Sequence, residues 1–231
     1  MKGSHLVVAS VSNTPEAAWL AQLLTFSCSK VQRAAPCLIV RPPLGPLLPA
    51  LRACRRAGAV LVRSFDYGRA NLPSSLSIGS AVAEDLGLPF VVVTAVDTVH
   101  ASPASWPLCA AYDSAGIPFV APTAQADRLG RNWWALMEKN ANAVESFVLA
   151  AQPLGLSPVE RAFTQPDFGG DVRPVIDLSI GSRTWSRDWF REGSADWPCR
   201  WSPPLVEDAG PAELVVRKTI HEAREFYEAI A

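Results

Sequence analysis

The sequence predicts a soluble α/β protein built on a doubly wound, mainly parallel five-stranded sheet, and three observations carry that expectation. Short continuous apolar runs alternate with segments of helical periodicity. The runs lack the in-out alternation of a sheet with one wet face, which is the pattern of strands covered on both sides. Short polar or glycine-containing loops join one element to the next, the rhythm of strand, crossover and strand.

The first run, residues 6–11, ends at Ser12, Asn13 and Thr14, polar capping residues before Pro15, which suits a first helical turn. Ala17, Ala18, Leu20, Ala21, Leu24 and Phe26 give residues 15–27 a broad apolar helical face. A second strand is expected at 37–40. Past Pro42, Pro43 and Gly45 comes a second helix at 47–57, with Arg52, Arg55 and Arg56 outward. Residues 59–62, Ala-Val-Leu-Val, make the third strand. Ser74 or Ser75 then caps a third helix that runs to Leu86 and closes at Gly87, and a fourth strand follows at 89–94. A helix within 103–115, a fifth strand at 117–120 and a long helix at 132–151 complete the series.

Five such units suggest the flavodoxin-like strand order 2-1-3-4-5, with a crevice above the carboxyl ends of the first and third strands. Residues 10–14 and 64–77 would face it. The α/β domain is expected to span residues 1–152, and residues 153–231 to form a C-terminal extension packed on it. Pro153, Pro158, Pro166, Gly169, Gly170 and Pro174 interrupt that extension. Within it, residues 175–180 read as a strand, and 213–230 as a helix with Leu214, Val215, Ile220, Ala223 and Tyr227 on one side. Trp185, Trp189, Trp197 and Trp201 read as a flap held by aromatic packing, or alternatively as a partner interface.

Composition narrows the functional classes. Lys and Arg number 21 against 22 Asp and Glu, so no overall basic excess points to nucleic acid as a partner. No apolar window reaches the roughly 18 to 20 residues of a membrane span, and residues 1–9 lack a signal-like apolar region, so a cytoplasmic protein without a membrane partner is expected. Five cysteines without a C-x-x-C pair, and no histidine at ligand spacing, argue against zinc and disulfides; buried thiols are expected instead. The first loop, residues 10–15, has no glycine, which disfavours a dinucleotide or P-loop fingerprint, and no cofactor or metal is expected. His100, three residues after Asp97 at the exit of the fourth strand, is a candidate general base. Glu84 and Asp85 read as exposed charges.

The stretches Ala57–Val62, Asn71–Ala81 and Leu86–Val92 resemble the core of the nucleoside 2-deoxyribosyltransferase family: an apolar strand, a helix start of the form D-S-G-T-x-x-E-I-G-x-A, and G-K-P-V entering the next strand. The resemblance implies a nucleoside, nucleotide or related ribosyl ligand, hydrolysis or transfer at an N-glycosidic bond, and a homo-oligomer. The family's glutamate nucleophile falls on Ser77, its aspartate on Asn71 and its glycine on Pro73. A serine hydroxyl is a weak nucleophile without a base, so Ser77 would bind instead of attacking. Asp66, near the family's acidic loop, is the candidate general acid or ribose-hydroxyl ligand. Asn13, Asn71, Ser74 and Ser75 would line the crevice, with free amides at the helix start for an anion. Asn132 and Asn140 correspond to a helix that carries an asparagine into a neighbouring subunit's site, while Trp133 and Trp134 read as core or interface anchors. The alternative is a non-catalytic sensor or structural subunit of the same fold.

Overall fold

The computed structural model describes residues 5–42, 45–64, 71–102, 109–113, 116–139, 142–164, 172–178 and 210–230. Strand β1 (Leu6–Ser12) pairs in parallel with β2 (Ala35–Arg41) on one side and β4 (Phe90–Thr94) on the other. β3 (Val60–Arg63) adds in parallel to β2. Beyond β4, strand β7 (Phe119–Pro122) runs antiparallel, followed by β6 (Ala111–Asp113) and β8 (Val159–Arg161). The sheet is therefore seven-stranded, mixed and mostly parallel, in the order β3-β2-β1-β4-β7-β6-β8. A separate two-stranded ribbon joins β5 (Thr98–His100) to β9 (Val175–Asp177).

Helices cover both faces, as the unbroken apolar strands anticipate. Val7, Ala9, Val11, Leu38 and Val40 pack against α1 (Pro15–Ser27) and α2 (Pro49–Arg56). Leu6, Val8, Cys37 and Ile39 meet α3 (Asn71–Asp85), α4 (Thr123–Met137) and α5 (Ala143–Ala151) on the opposite face. There Trp133, Phe119 and Phe147 form a buried aromatic trio, with ring centroids 4.6 to 5.0 Å apart. A further layer is α6 (Pro211–Ile230), which buries Val216, Ile220, Ala223 and Tyr227 against α1 residues Trp19, Leu23 and Phe26. Coverage on both sides explains why α1 is apolar almost all round. Among the described residues, no helix is long and apolar enough to cross a membrane.

Several sequence expectations are corrected. Strand β1 lies between β2 and β4 and not between β2 and the third strand, so the flavodoxin-like order does not hold. The cause is α3, which crosses to the far side of β1. Gly79 lies so close to the sheet that a Cβ there would stand 2.7 Å from Val8 Cγ2 and 3.0 Å from Val91 Cγ1. The fifth expected strand, β7, is antiparallel to β4. Within 103–115, residues 111–113 form a strand where a helix was expected, because they pair with both β7 and β8. The long helix expected at 132–151 is two helices: α5 begins afresh at Asn142, whose side chain accepts from Glu145 N at 3.0 Å. Leu214 is outward on α6, at 55% exposure. The tryptophans at 185, 189, 197 and 201 lie outside the described residues. Residues past 152 supply β8 to the main sheet, β9 to the ribbon and α6 to the outer layer.

Candidate functional site at the carboxyl ends of the strands

From β1 the chain goes on to β2, and from β4 it goes on toward the strands beyond β4 on the other side, so the direction of the chain along the strand order reverses between these two strands. The region above their carboxyl ends, the mouth of the sheet, lies one strand away from the expected position. Thr14 caps α1 there, its hydroxyl accepting from Ala17 N at 3.4 Å, with Pro15 in the first turn as its fixed φ favours.

One wall of the mouth follows from strand alternation. On the α3 face, β1 reads Leu6, Val8, Ser10; β2 reads Cys37, Ile39, Arg41; and β3 reads Val60, Val62, then Ser64 just beyond it. β1 turns from apolar to polar at Ser10, which pairs with Ile39, and β2 and β3 turn one step later, at Arg41 and Ser64. Arg41, only 6% exposed, donates from Nε to Ser10 Oγ at 3.1 Å and from Nη1 to Ser64 Oγ at 3.0 Å. Its Nη2 reaches Ser74 Oγ at 2.6 Å and Ser75 Oγ at 3.4 Å on α3, and Ser10 and Ser75 share a 2.9 Å hydroxyl contact. A guanidinium keeps its charge on burial, so a permanent cation sits among four serine hydroxyls at the mouth.

Sequence reasoning ended the second strand at Val40 and missed Arg41. Period-two alternation across the three runs is the signal that finds it. Ser74 and Ser75 are brought together at this wall, but not as caps: α3 begins at Asn71, which places both hydroxyls inside the helix and against Arg41.

The remaining candidates are distributed differently. Asn13 ties two loops together: its Nδ2 donates to Pro46 O at 3.0 Å, and its Oδ1 accepts from Leu48 N at 3.3 Å. Ser77 turns away from Arg41 onto α4, donating to Asp127 O at 3.3 Å beside Gly130. Asn132 joins α4 to α5 through Ala150 O at 3.3 Å. Asn71 opens α3, while Asp66 and Asn140 lie outside the described residues. Trp133 is a fully buried core residue, and Trp134 donates to Glu138 Oε1 at 3.0 Å.

No family model matches the chain, that of the deoxyribosyltransferases included, and no curated protein matches it significantly. Solved structures do share the fold. One, a crystal structure of a provisionally assigned nucleotide-diphospho-sugar transferase from Desulfovibrio desulfuricans G20, aligns with a TM-score of 0.49 at 10% identity over 97% of this chain and 98% of that one.

The loop leaving β4 carries Asp97. Burial, and secondarily the carboxylate of Asp177 on β9, raise its carboxyl above the ordinary range. Asp97 O also accepts from Leu178 N at 2.8 Å, which ties this loop to the ribbon. His100 is fully buried, and burial, with His5 nearby, lowers its pKa to about 3; it is a neutral interior group, not a base at the mouth. Burial pushes the Cys37 and Cys54 thiols up to about 12 and Cys28 upward as well, so these three are inert apolar fillers, as expected. Among the described residues, no group of three or more His, Cys, Asp or Glu is placed to hold a metal.

Proposed function

We propose that the chain binds a phosphorylated ribosyl ligand, a nucleotide or a related sugar phosphate, at the mouth, with its anionic group against the Arg41 wall. The observation that carries this reading is the buried guanidinium at the end of β2, surrounded by Ser10, Ser64, Ser74 and Ser75. A cation in low-dielectric surroundings attracts an anion more strongly than one in water. Serine hydroxyls that accept from a cation become better donors in turn, and the positive end of the α3 dipole adds to the same field. Because the Ser77 hydroxyl is directed at Asp127 O, the reading is of binding at this wall and not of attack by Ser77.

Thermal-shift and calorimetric titrations with a nucleoside monophosphate, the matching nucleoside and inorganic phosphate test this. The monophosphate at a hundred times its dissociation constant should stabilise the fold by about 2.7 kcal/mol. The nucleoside should bind at least about tenfold more weakly, the loss expected for one charge-assisted contact. Arg41→Lys should weaken the monophosphate by a similar factor, because an ammonium keeps the charge but cannot hold all four serine hydroxyls in place. Equal affinity for nucleoside and monophosphate would defeat the proposal.

A second reading, hydrolysis of an N-glycosidic bond in which water takes the place of the base on the sugar carbon, is favoured by Asp97. A carboxyl held protonated at higher pH than usual can donate its proton to a departing base. Chromatography of nucleoside monophosphates after incubation should then show free base. Asp97→Asn should lower its release by about a hundredfold. Absence of base from the unaltered chain rejects this reading and leaves the binding proposal standing.

A further inference from the structure

Charge is distributed unevenly along the chain. Residues 17–65 contain seven Lys or Arg and no Asp or Glu, in a protein of formal net charge −1. These residues build α1, β2, α2 and β3, and β3 is one edge of the main sheet. Arg52, Arg55 and Arg56 are all exposed and share one face of α2 at i, i+3 and i+4. Arg63, also exposed, alternates with Leu61, which packs in the α1 and α2 layer, so Arg63 lies on the α2 side of the edge strand. Arg33, left-handed at φ 53° and exposed, sits just before the amino end of β2.

The outer helix α6 shows what a balanced basic face looks like in this protein. Its Arg217, Lys218, His221 and Arg224 each lie against Glu213, Glu222, Glu225 and Glu228 respectively, at i,i+4 spacing. Among the described residues, Arg33, Arg52, Arg55, Arg56 and Arg63 have no such partner. The α2 helix dipole accounts for Arg55 and Arg56 in the last turn, but not for Arg52 or for Arg63 on a strand.

We propose that this edge docks the phosphate backbone of a nucleic acid without reading its bases. The stripe favours an extended polyanion over a small one, since its arginines are spread over the edge strand (Arg63), the helix α2 (Arg52, Arg55, Arg56) and the amino end of β2 (Arg33). Arg52 to Arg56 span about 6 Å of helix axis, the reach of about two phosphates along one strand, and Arg63 and Arg33 add a contact each. A lipid surface would call for an apolar anchor beside the charges. A protein partner would call for an apolar interface centre. Among the described residues, the exposed large apolar ones, Leu86, Leu149 and Leu214, belong to other parts of the molecule. A formal net charge of −1 conceals this local excess.

Fluorescence anisotropy of a labelled DNA duplex of about 20 base pairs with the full chain, in roughly 50 to 200 mM salt, tests the proposal. Four neutralised phosphates predict a log–log salt slope of about −3.6, with little dependence on base sequence. The triple variant Arg52→Glu, Arg55→Glu, Arg56→Glu should bind at least about tenfold more weakly, with an unchanged circular dichroism spectrum and unchanged nucleoside monophosphate binding. Arg41→Lys should leave duplex binding intact, which separates this proposal from that for the mouth. No duplex binding at low salt, or binding that survives the triple charge reversal, overturns it. So does charge-dependent binding to phosphatidylglycerol vesicles without binding to the duplex.

Discussion

At the end of β6, Asp113 is 2% exposed, and its Oδ2 accepts from Phe163 N at 2.6 Å and Thr164 N at 2.8 Å. One carboxylate thereby satisfies two backbone donors that β8 leaves behind as it exits the sheet. Asp113→Ala strands both in a dry interior, and a buried unsatisfied donor costs about 1 to 3 kcal/mol. The expected loss is about 2 to 4 kcal/mol in urea unfolding, with Asp113→Asn recovering part of it through its remaining acceptor oxygen. Equal stability of Asp113→Ala and the parent chain would show that this carboxylate is dispensable. Arg41 makes the opposite use of a buried charge: it collects neutral hydroxyls from β1, from α3 and from Ser64, and its cost of burial is offset by several charge-assisted hydrogen bonds. One ion serves connection, the other a mouth.

Between elements, the decisive contacts are made by residues without side chains. Alanine at Gly79 gains about 1 kcal/mol of helix propensity, but its methyl group meets Val8 Cγ2 at 2.7 Å and Val91 Cγ1 at 3.0 Å. Overpacking of this kind costs about 1 to 3 kcal/mol, so Gly79→Ala should be net destabilising, and Val8→Ala in the same chain should relieve it. Gly130→Ala should be worse, because the new atom meets Pro73 O, a backbone atom, at 2.8 Å, as well as Ser77 Oγ. Denaturant midpoints of the three variants check the ranking. The same contacts mark what the sequence can tell. The start of α1 is legible because Thr14, Pro15 and Glu16 act within one turn. The position of β1 beside β4 is not, since a glycine that admits a helix onto two distant valines leaves no periodic trace. The break between α4 and α5 rests on a single capping asparagine inside a continuous helical pattern. Half of the Arg41 wall is legible too: Ser74 and Ser75 stand out in the motif, while Arg41 looks like the end of a strand until the alternation of three runs is superposed. Ser77 is misleading for a related reason, because only the approach of α4 at Gly130 decides that its hydroxyl turns from the mouth.

Across the whole molecule, layers are joined through buried polar groups that titrate. His5 precedes β1, with its carbonyl accepting from Ala35 N at 3.2 Å, and His100 closes β5, its amide donating to Ser27 Oγ of α1 at 3.2 Å. Both are at most 2% exposed, and desolvation lowers them to about 4 and about 3, His5 adding to the shift of His100. Each therefore folds as a neutral imidazole. Their folded pKa values lie below the ordinary value near 6.5, so as pH falls the unfolded chain takes up protons that the folded chain refuses. Their contribution is whole above about pH 6.5 and declines steadily below it, at about 1.4 kcal/mol per pH unit for each histidine. Between pH 7 and 5 the pair predicts a loss of roughly 3 to 4 kcal/mol. Asp97 opposes this, since a carboxyl raised by burial and Asp177 gains from protonation in the folded state, and it offsets part of the loss as pH falls toward its range. Urea unfolding at intervals from pH 7 to 5 should show the midpoint falling. In a variant with His5→Asn and His100→Gln the fall should be largely abolished, whatever its stability at pH 7. A parent chain equally stable at both ends of that range would mean that the two imidazoles are not held neutral in the interior.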